Sequence, residues 1–208
     1  RLIEINRNFE LFQVDIARLD DVVDHPADPK FLSKPHFQEV QPFLGGIEFK
    51  EVIYRYNLNH PPVLNGISFS IPPGKKVALI GATGSGKTTV AKLLSGFISQ
   101  ESGAVKIDGT DLKDFPSDYL SRRMAFVFDT PFIYEGTVRS NITLYDSAYT
   151  DDDILKALEE VQLSDRFKEW LLGEELEEEG KNISGGEKQR LSIARALLRR
   201  PHLAAGVK

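Results

Sequence analysis

The segment Gly81-Ala82-Thr83-Gly84-Ser85-Gly86-Lys87-Thr88 carries the residue types that hold a polyphosphate, at the spacing that chemistry needs. It fits G-x-x-x-x-G-K-S/T at every fixed position. The glycines let the backbone turn its N–H groups inward around phosphate oxygens, at the positive end of the helix that follows. Lys87 supplies a point charge for the β- and γ-phosphates, and Thr88 a hydroxyl for Mg²⁺. Thr83, Ser85 and Thr89 complete the stretch that would face the phosphates. Residues 76–80 read as a buried strand and residues 89–94 as the opening of an amphipathic helix. Strand, glycine loop and helix are the context this motif requires. The chemistry is binding of a nucleoside triphosphate.

A second segment, Ile183-Ser184-Gly185-Gly186-Glu187-Lys188-Gln189-Arg190, opens another helix. Ser184 is placed as its N-cap and Glu187, three residues on, completes a capping box. Leu191, Ala194 and Leu198 form the buried stripe. One reading is simply a well-capped helix. The other starts from Gly185 and Gly186, which are poor helix formers but clear side chains from the positive helix end, where an anion can meet the backbone.

The elements that position these loops fit within one domain of ordinary size, since the chain has 208 residues. Its hydrophobic fraction of 41% and charged fraction of 27% are those of a globular protein. No stretch has the roughly 18 to 20 apolar residues that span a bilayer. The chain opens on Arg1, so either the start lies upstream or the first residue was removed. With no cysteine there is neither a disulfide framework nor a thiolate metal site, which suits the cytoplasm. The net charge of −5 argues against nucleic acid as the main partner. Much of that acidity lies in residues 173–179, where repulsion between like charges favours a solvated loop.

Leu2, Ile5, Phe9, Phe12, Ile16, Leu19 and Val23 follow alternating steps of three and four, so residues 1–25 are expected to form one amphipathic helix. It packs on its own domain or is the cytoplasmic end of a longer helix. Pro26, Pro29, Pro35 and Pro42 make residues 26–44 an extended linker. The globular part is expected over residues 45–208. Residues 47–56 and 63–71 read as strands, 104–109 as a short strand and turn, and 124–128 as a buried strand. Residues 137–172 turn helical, with Asp151, Asp152 and Asp153 expected to cap the helix holding Ile154, Leu155 and Leu158. His25, His36 and His60 fall in linker or turn segments.

Taken together, residues 183–190 resemble the signature motif of ABC-type ATPases, commonly L-S-G-G-Q-x-Q-R, with Glu187 as an accepted variant of its glutamine. The resemblance spans residues 47–201 and several motifs in order. It implies a P-loop NTPase core, in which a mixed or parallel sheet is joined by an antiparallel β subdomain and a helical subdomain carries the signature. Tyr56 sits where the family places an aromatic that stacks on adenine. Residues 132–142 resemble the segment after the family's Q-loop in exporters, and Gly180 matches an exporter glycine before the signature. Residues 17–29 resemble the junction between the last transmembrane helix and the ATPase domain of bacterial exporters, peptide or bacteriocin exporters among them.

The resemblance implies ATP and Mg²⁺ as cofactors and a head-to-tail dimer. Lys87 and Thr88 of one domain would hold ATP while Ser184, Gly185 and Gly186 of a second close over its γ-phosphate. A transmembrane domain would be the other partner, with the chain at the cytoplasmic face of a bacterial membrane. Two departures stand out. Asp129 occupies the place of the Q-loop glutamine, where it could still ligate Mg²⁺ through oxygen. In the family a strand ending in Asp-Glu follows the signature helix, but no acid lies in residues 199–208 and His202 is not in the context of the switch histidine. The expectation is an exporter ATP-binding domain cut short before that strand, with core strands missing, nucleotide bound poorly and hydrolysis negligible. A non-catalytic nucleotide-binding module, regulatory or dimerising, and a soluble ABC-type ATPase are the alternatives.

Overall fold

A computed structural model describes residues 42–168 and 175–206. The helix expected over residues 1–25, nearly all of the linker, the start of the acidic run, and Val207 and Lys208 lie outside the described residues.

The first half of the molecule is an antiparallel sheet. β1 (Ile47–Tyr54), β2 (Leu64–Ile71), β3 (Ser102–Ile107) and β4 (Thr110–Asp111) lie in the order β2-β1-β3-β4. Phe49 and Val52 both reach the core because the register shifts between them, where Glu51 takes φ 47°, and Phe49 is in register with Phe69 on one side and Val105 on the other. The rings of Phe49 and Phe69 stack with centroids 4.6 Å apart. Between β2 and β3 runs α1 (Lys87–Leu94), whose Val90, Leu93 and Leu94 join Phe49, Val52, Val105 and Ile107 in one core. α2 (Ser117–Arg123) adds Tyr119 to that core and leads directly into β5 (Met124–Val127).

A second core follows. β6 (Gly136–Thr137), α3 (Val138–Thr143), α4 (Asp151–Glu160), α5 (Ser164–Phe167), β7 (Glu175–Leu176) and α6 (Gly185–Leu198) come next in the chain. Val138, Ile142, Ile154, Leu158, Phe167 and Leu191 are among the side chains they bury together. The start of α4 is capped by the Thr150 hydroxyl in a capping box with Asp153, so the aspartate run helps from the first turn while a threonine makes the cap. After α6 the chain returns to the first core as β8 (Leu203–Gly206).

Two expectations need correction. Residues 76–80 are not a strand: among the described residues no strand pairs with them, and Val77, Leu79 and Ile80 are exposed, Ile80 to 95%. Apolar side chains alone do not make a strand when no neighbour takes up the backbone N–H and C=O groups. Conversely, a strand after the signature-like helix is present. β8 pairs in parallel with β5, Met124 opposite Leu203 through to Val127 opposite Gly206. Its Ala204-Ala205-Gly206 sequence has little intrinsic β preference, so the pairing with the apolar run of β5 makes it a strand.

The entry to the domain is also fixed. Phe43, within the span read as linker, is buried, with its ring edge-on to Tyr119 and to His202. Both oxygens of Asp108 accept from consecutive backbone amides, Oδ2 from Leu44 and Gly45 and Oδ1 from Gly46, at 2.8 to 3.0 Å.

Candidate nucleotide-binding site

The glycine loop is short and tightly turned. Ser85 N–H donates to the Ala82 carbonyl at 3.2 Å, and Gly86, at φ 90°, is the N-cap of α1. That left-handed φ suits glycine, and a Cβ there would lie 2.7 Å from Leu64 Cδ2. A Cβ on Gly81 would lie 2.6 Å from Ser85 Oγ. The sequence thus places small residues where the loop and β2 approach closest.

Lys87 folds back over the loop. Its Nζ donates to the carbonyls of Gly81 at 2.8 Å and Ala82 at 2.9 Å. These two bonds hold the ammonium against the backbone of the loop. Gly81, Ala82, Thr83, Gly84, Ser85 and Thr88 are exposed to solvent. No side chain caps the start of α1. The positive end of this helix is left open to an external anion.

Tyr56 belongs to the same neighbourhood. Its hydroxyl lies 3.2 Å from the Oγ1 of Thr89, itself buried in the first turn of α1. Tyr54 supports the ring edge-on at 5.0 Å, and Lys92 Nζ lies 5.8 Å from its centroid. Sequence reasoning did not single out Lys92. The signal was its place three residues after Thr89, on the same helix face.

The second helix start is built differently. Ser184 donates to Glu187 Oε2 from its backbone N–H at 2.7 Å and from its hydroxyl at 2.6 Å. Glu187 N–H returns a bond to Ser184 Oγ at 3.3 Å. Those bonds from Ser184, with Arg166 beside the other carboxylate oxygen, hold the Glu187 carboxyl below its usual range. Gly185 has open space around it, and Gly186 faces Arg190. The start of α6 thus carries its own carboxylate, whereas the start of α1 carries none.

The two starts rest on different cores. Val90, Leu93 and Leu94 of α1 pack in the first, and Leu191, Ala194 and Leu198 of α6 in the second. Asp129 is exposed just beyond β5. The ring of its neighbour Phe128 lies 5.7 Å from Phe97, which follows α1. The structure therefore gathers Tyr56, Thr89 and the glycine loop into one place, with Ser184, Gly185, Gly186 and Glu187 grouped on another core. Sequence reasoning also passed over a partly buried polar contact between α6 and the segment that follows Asp129. Arg195 donates to the Asn141 side chain at 2.8 Å and to the backbone carbonyls of Asn141 and Phe132. The signal was a lone arginine on the otherwise apolar side of α6.

Comparison with known proteins decides the family. The ABC transporter family model matches residues 64–205, from the start of β2 into β8. The chain belongs to the ABC transporter family. It is an ATP-binding domain of the exporter type. The exotoxin translocation ATP-binding protein PaxB of Pasteurella aerogenes is 32% identical over 205 residues, covering 98% of this chain and 28% of that protein. The ABC-type transporter kk1G of Curvularia clavata is 38% identical over 161 residues, 76% of this chain and 12% of its own length. The solved structure of a bacterial Atm1-family ABC exporter with ATP bound superimposes with a TM-score of 0.83 at 25% identity, over 97% of this chain and 35% of that one. This ABC domain therefore spans about a quarter of the length of PaxB and about a third of the Atm1-family chain. Among its described residues no helix is long and apolar enough to cross a membrane.

Proposed function

We propose that this domain binds MgATP in the glycine loop and serves as the nucleotide-driven part of an exporter. The open start of α1 beneath the Lys87 ammonium carries this reading, because a helix N-terminus without a capping side chain and with a cation beside it suits a triphosphate. The backbone of Thr83, Gly84, Ser85 and Gly86 would cradle the phosphates, with Tyr56 against the base. Among the described residues no group of three or more carboxylates and histidines is placed to hold a metal. Mg²⁺ would then come with the nucleotide, held by phosphate oxygens, the Thr88 hydroxyl and the Asp129 carboxylate, and would neutralise phosphate charge.

The placement of Ser184 on a second core supports a head-to-tail pair of domains, each offering its glycine loop to the other's α6 start. The N-terminal segment and the residues after Asp129 would connect to a transmembrane domain at the cytoplasmic face of the membrane. PaxB is named for exotoxin translocation, and a peptide cargo is the corresponding proposal here. Hydrolysis is proposed to be weak. β8 is followed by Val207 and Lys208, where the family resemblance calls for Asp-Glu, and neither side chain can polarise a water as a carboxylate does. That same pair favours the second reading, a nucleotide-dependent dimerisation module without catalysis.

Sedimentation of the 208-residue chain with and without MgATP tests the pairing, beside Lys87→Ala. ATP-dependent dimers lost in that variant are the expected result. A chain that stays monomeric at saturating ATP overturns it.

A further inference from the structure

Arg195 sits on α6 just over three turns beyond Ser184 and is half-buried. Burial lowers its affinity for the proton, and the oxygens it donates to are neutral. Nη2 donates to Asn141 Oδ1 at 2.8 Å, Nε to the Asn141 carbonyl, and Nη1 to the carbonyl of Phe132. Asn141 is itself fully buried on α3. Its Oδ1 accepts from Tyr134 N–H at 2.9 Å, and its Nδ2 donates to the carbonyls of Tyr134 at 2.9 Å and Thr137 at 3.1 Å. The Tyr134 ring lies 5.8 Å from the guanidinium. Every buried side-chain polar atom of the described residues has a partner.

A planar guanidinium fixed at three points constrains direction as well as distance. The segment it fixes begins three residues after Asp129. We propose that Arg195 is a positioning residue that locks the residues following Asp129 to α6, so that a displacement at the Asp129 end reaches the Ser184–Gly186 start. The lever is α6 itself, a continuous helix of 14 residues carrying Arg195 in its last turns and Gly185 and Gly186 in its first. Asn141 keeps the segment's backbone satisfied while the arginine holds it. This inference rests on the proposed ATP-dependent pairing, because the α6 start acts on the partner's nucleotide.

The test compares the unaltered chain with Arg195→Lys, whose ammonium cannot span three directed acceptors. ATP binding is read with a fluorescent ATP analogue and pairing by sedimentation. Leu158→Ala, a cavity in the same core, controls for lost stability. Arg195→Lys is expected to bind the analogue within twofold of the unaltered chain while needing at least tenfold more protein to pair. Leu158→Ala is expected to lower the melting temperature without that split. Equal pairing by Arg195→Lys overturns the inference and leaves the proposed function standing. Failure of the unaltered chain to pair overturns both. Amide hydrogen exchange covers the case of a variant that does not fold. In the unaltered chain ATP should slow exchange at Tyr134 together with Glu187 and Lys188, and independent responses at the two ends overturn the inference.

Discussion

The Tyr56 hydroxyl lies 3.2 Å from Thr89 Oγ1, so the aromatic ring placed for a base is tied to the helix whose start is placed for the phosphates. The two halves of a nucleotide would then be read by one connected unit. Tyr56→Phe keeps the ring and removes the bond. A bond of this kind contributes about 1 kcal/mol, so ATP affinity should fall by no more than about fivefold. Tyr56→Ala also removes the stacking face, and a loss of tenfold or more is expected in equilibrium titration with a fluorescent analogue.

Gly86 has no substitute. An alanine there combines a left-handed φ with a Cβ 2.7 Å from Leu64 Cδ2, so the loop or β2 must shift. Gly86→Ala should lower the melting temperature and abolish detectable ATP binding. Gly185→Ala, in open space at the other helix start, should leave ATP binding unchanged.

The Asp108 carboxylate gathers three backbone amides from the entry segment. Asp108→Ala would leave them without that acceptor, at a cost of roughly 1 to 3 kcal/mol. Amide exchange at Leu44, Gly45 and Gly46 should accelerate by at least tenfold, with ATP affinity unaffected because the glycine loop takes no part in this contact. Unchanged exchange would mean that the carboxylate does not hold the segment.

Acid stability should depend on Glu187 and Asp153. Bonds from Ser184 and Thr150 hold their carboxyls below the usual values. Such groups stabilise the fold fully above their unfolded values of about 4.3 and 3.9. That contribution is lost as pH falls through the lower folded values. Melting temperature should therefore drop on acidification below about pH 4.5. Glu187→Gln, which can still form a capping box, should make that drop shallower. Ser184→Ala removes the cap and should cost about 1 kcal/mol at neutral pH.

Much of this was legible in the residues because the physics is local. The helix after the glycine loop and the Ser184 capping box depend on neighbours within a few positions, and both appear as read. What required distant partners was misread. Residues 76–80 have a strand's composition but no paired neighbour, whereas Ala204-Ala205-Gly206 lacks the composition and gains its neighbour from β5, almost eighty residues away. The Arg195–Asn141 contact was invisible for the same reason, since it joins residues 54 apart in sequence. Phe43 reads as linker among prolines, and partners far along the chain, Tyr119 and His202 among them, bring it into the core.

The nucleotide site is expected to bind without efficient turnover. The decisive measurement is MgATP binding by calorimetry together with phosphate release on the same purified chain, beside Lys87→Ala. Mg-dependent binding that is lost in the variant, with phosphate release no faster than in the variant, is the predicted result. Release well above the Lys87→Ala background would contradict it and show that a group other than Val207 or Lys208 activates the water.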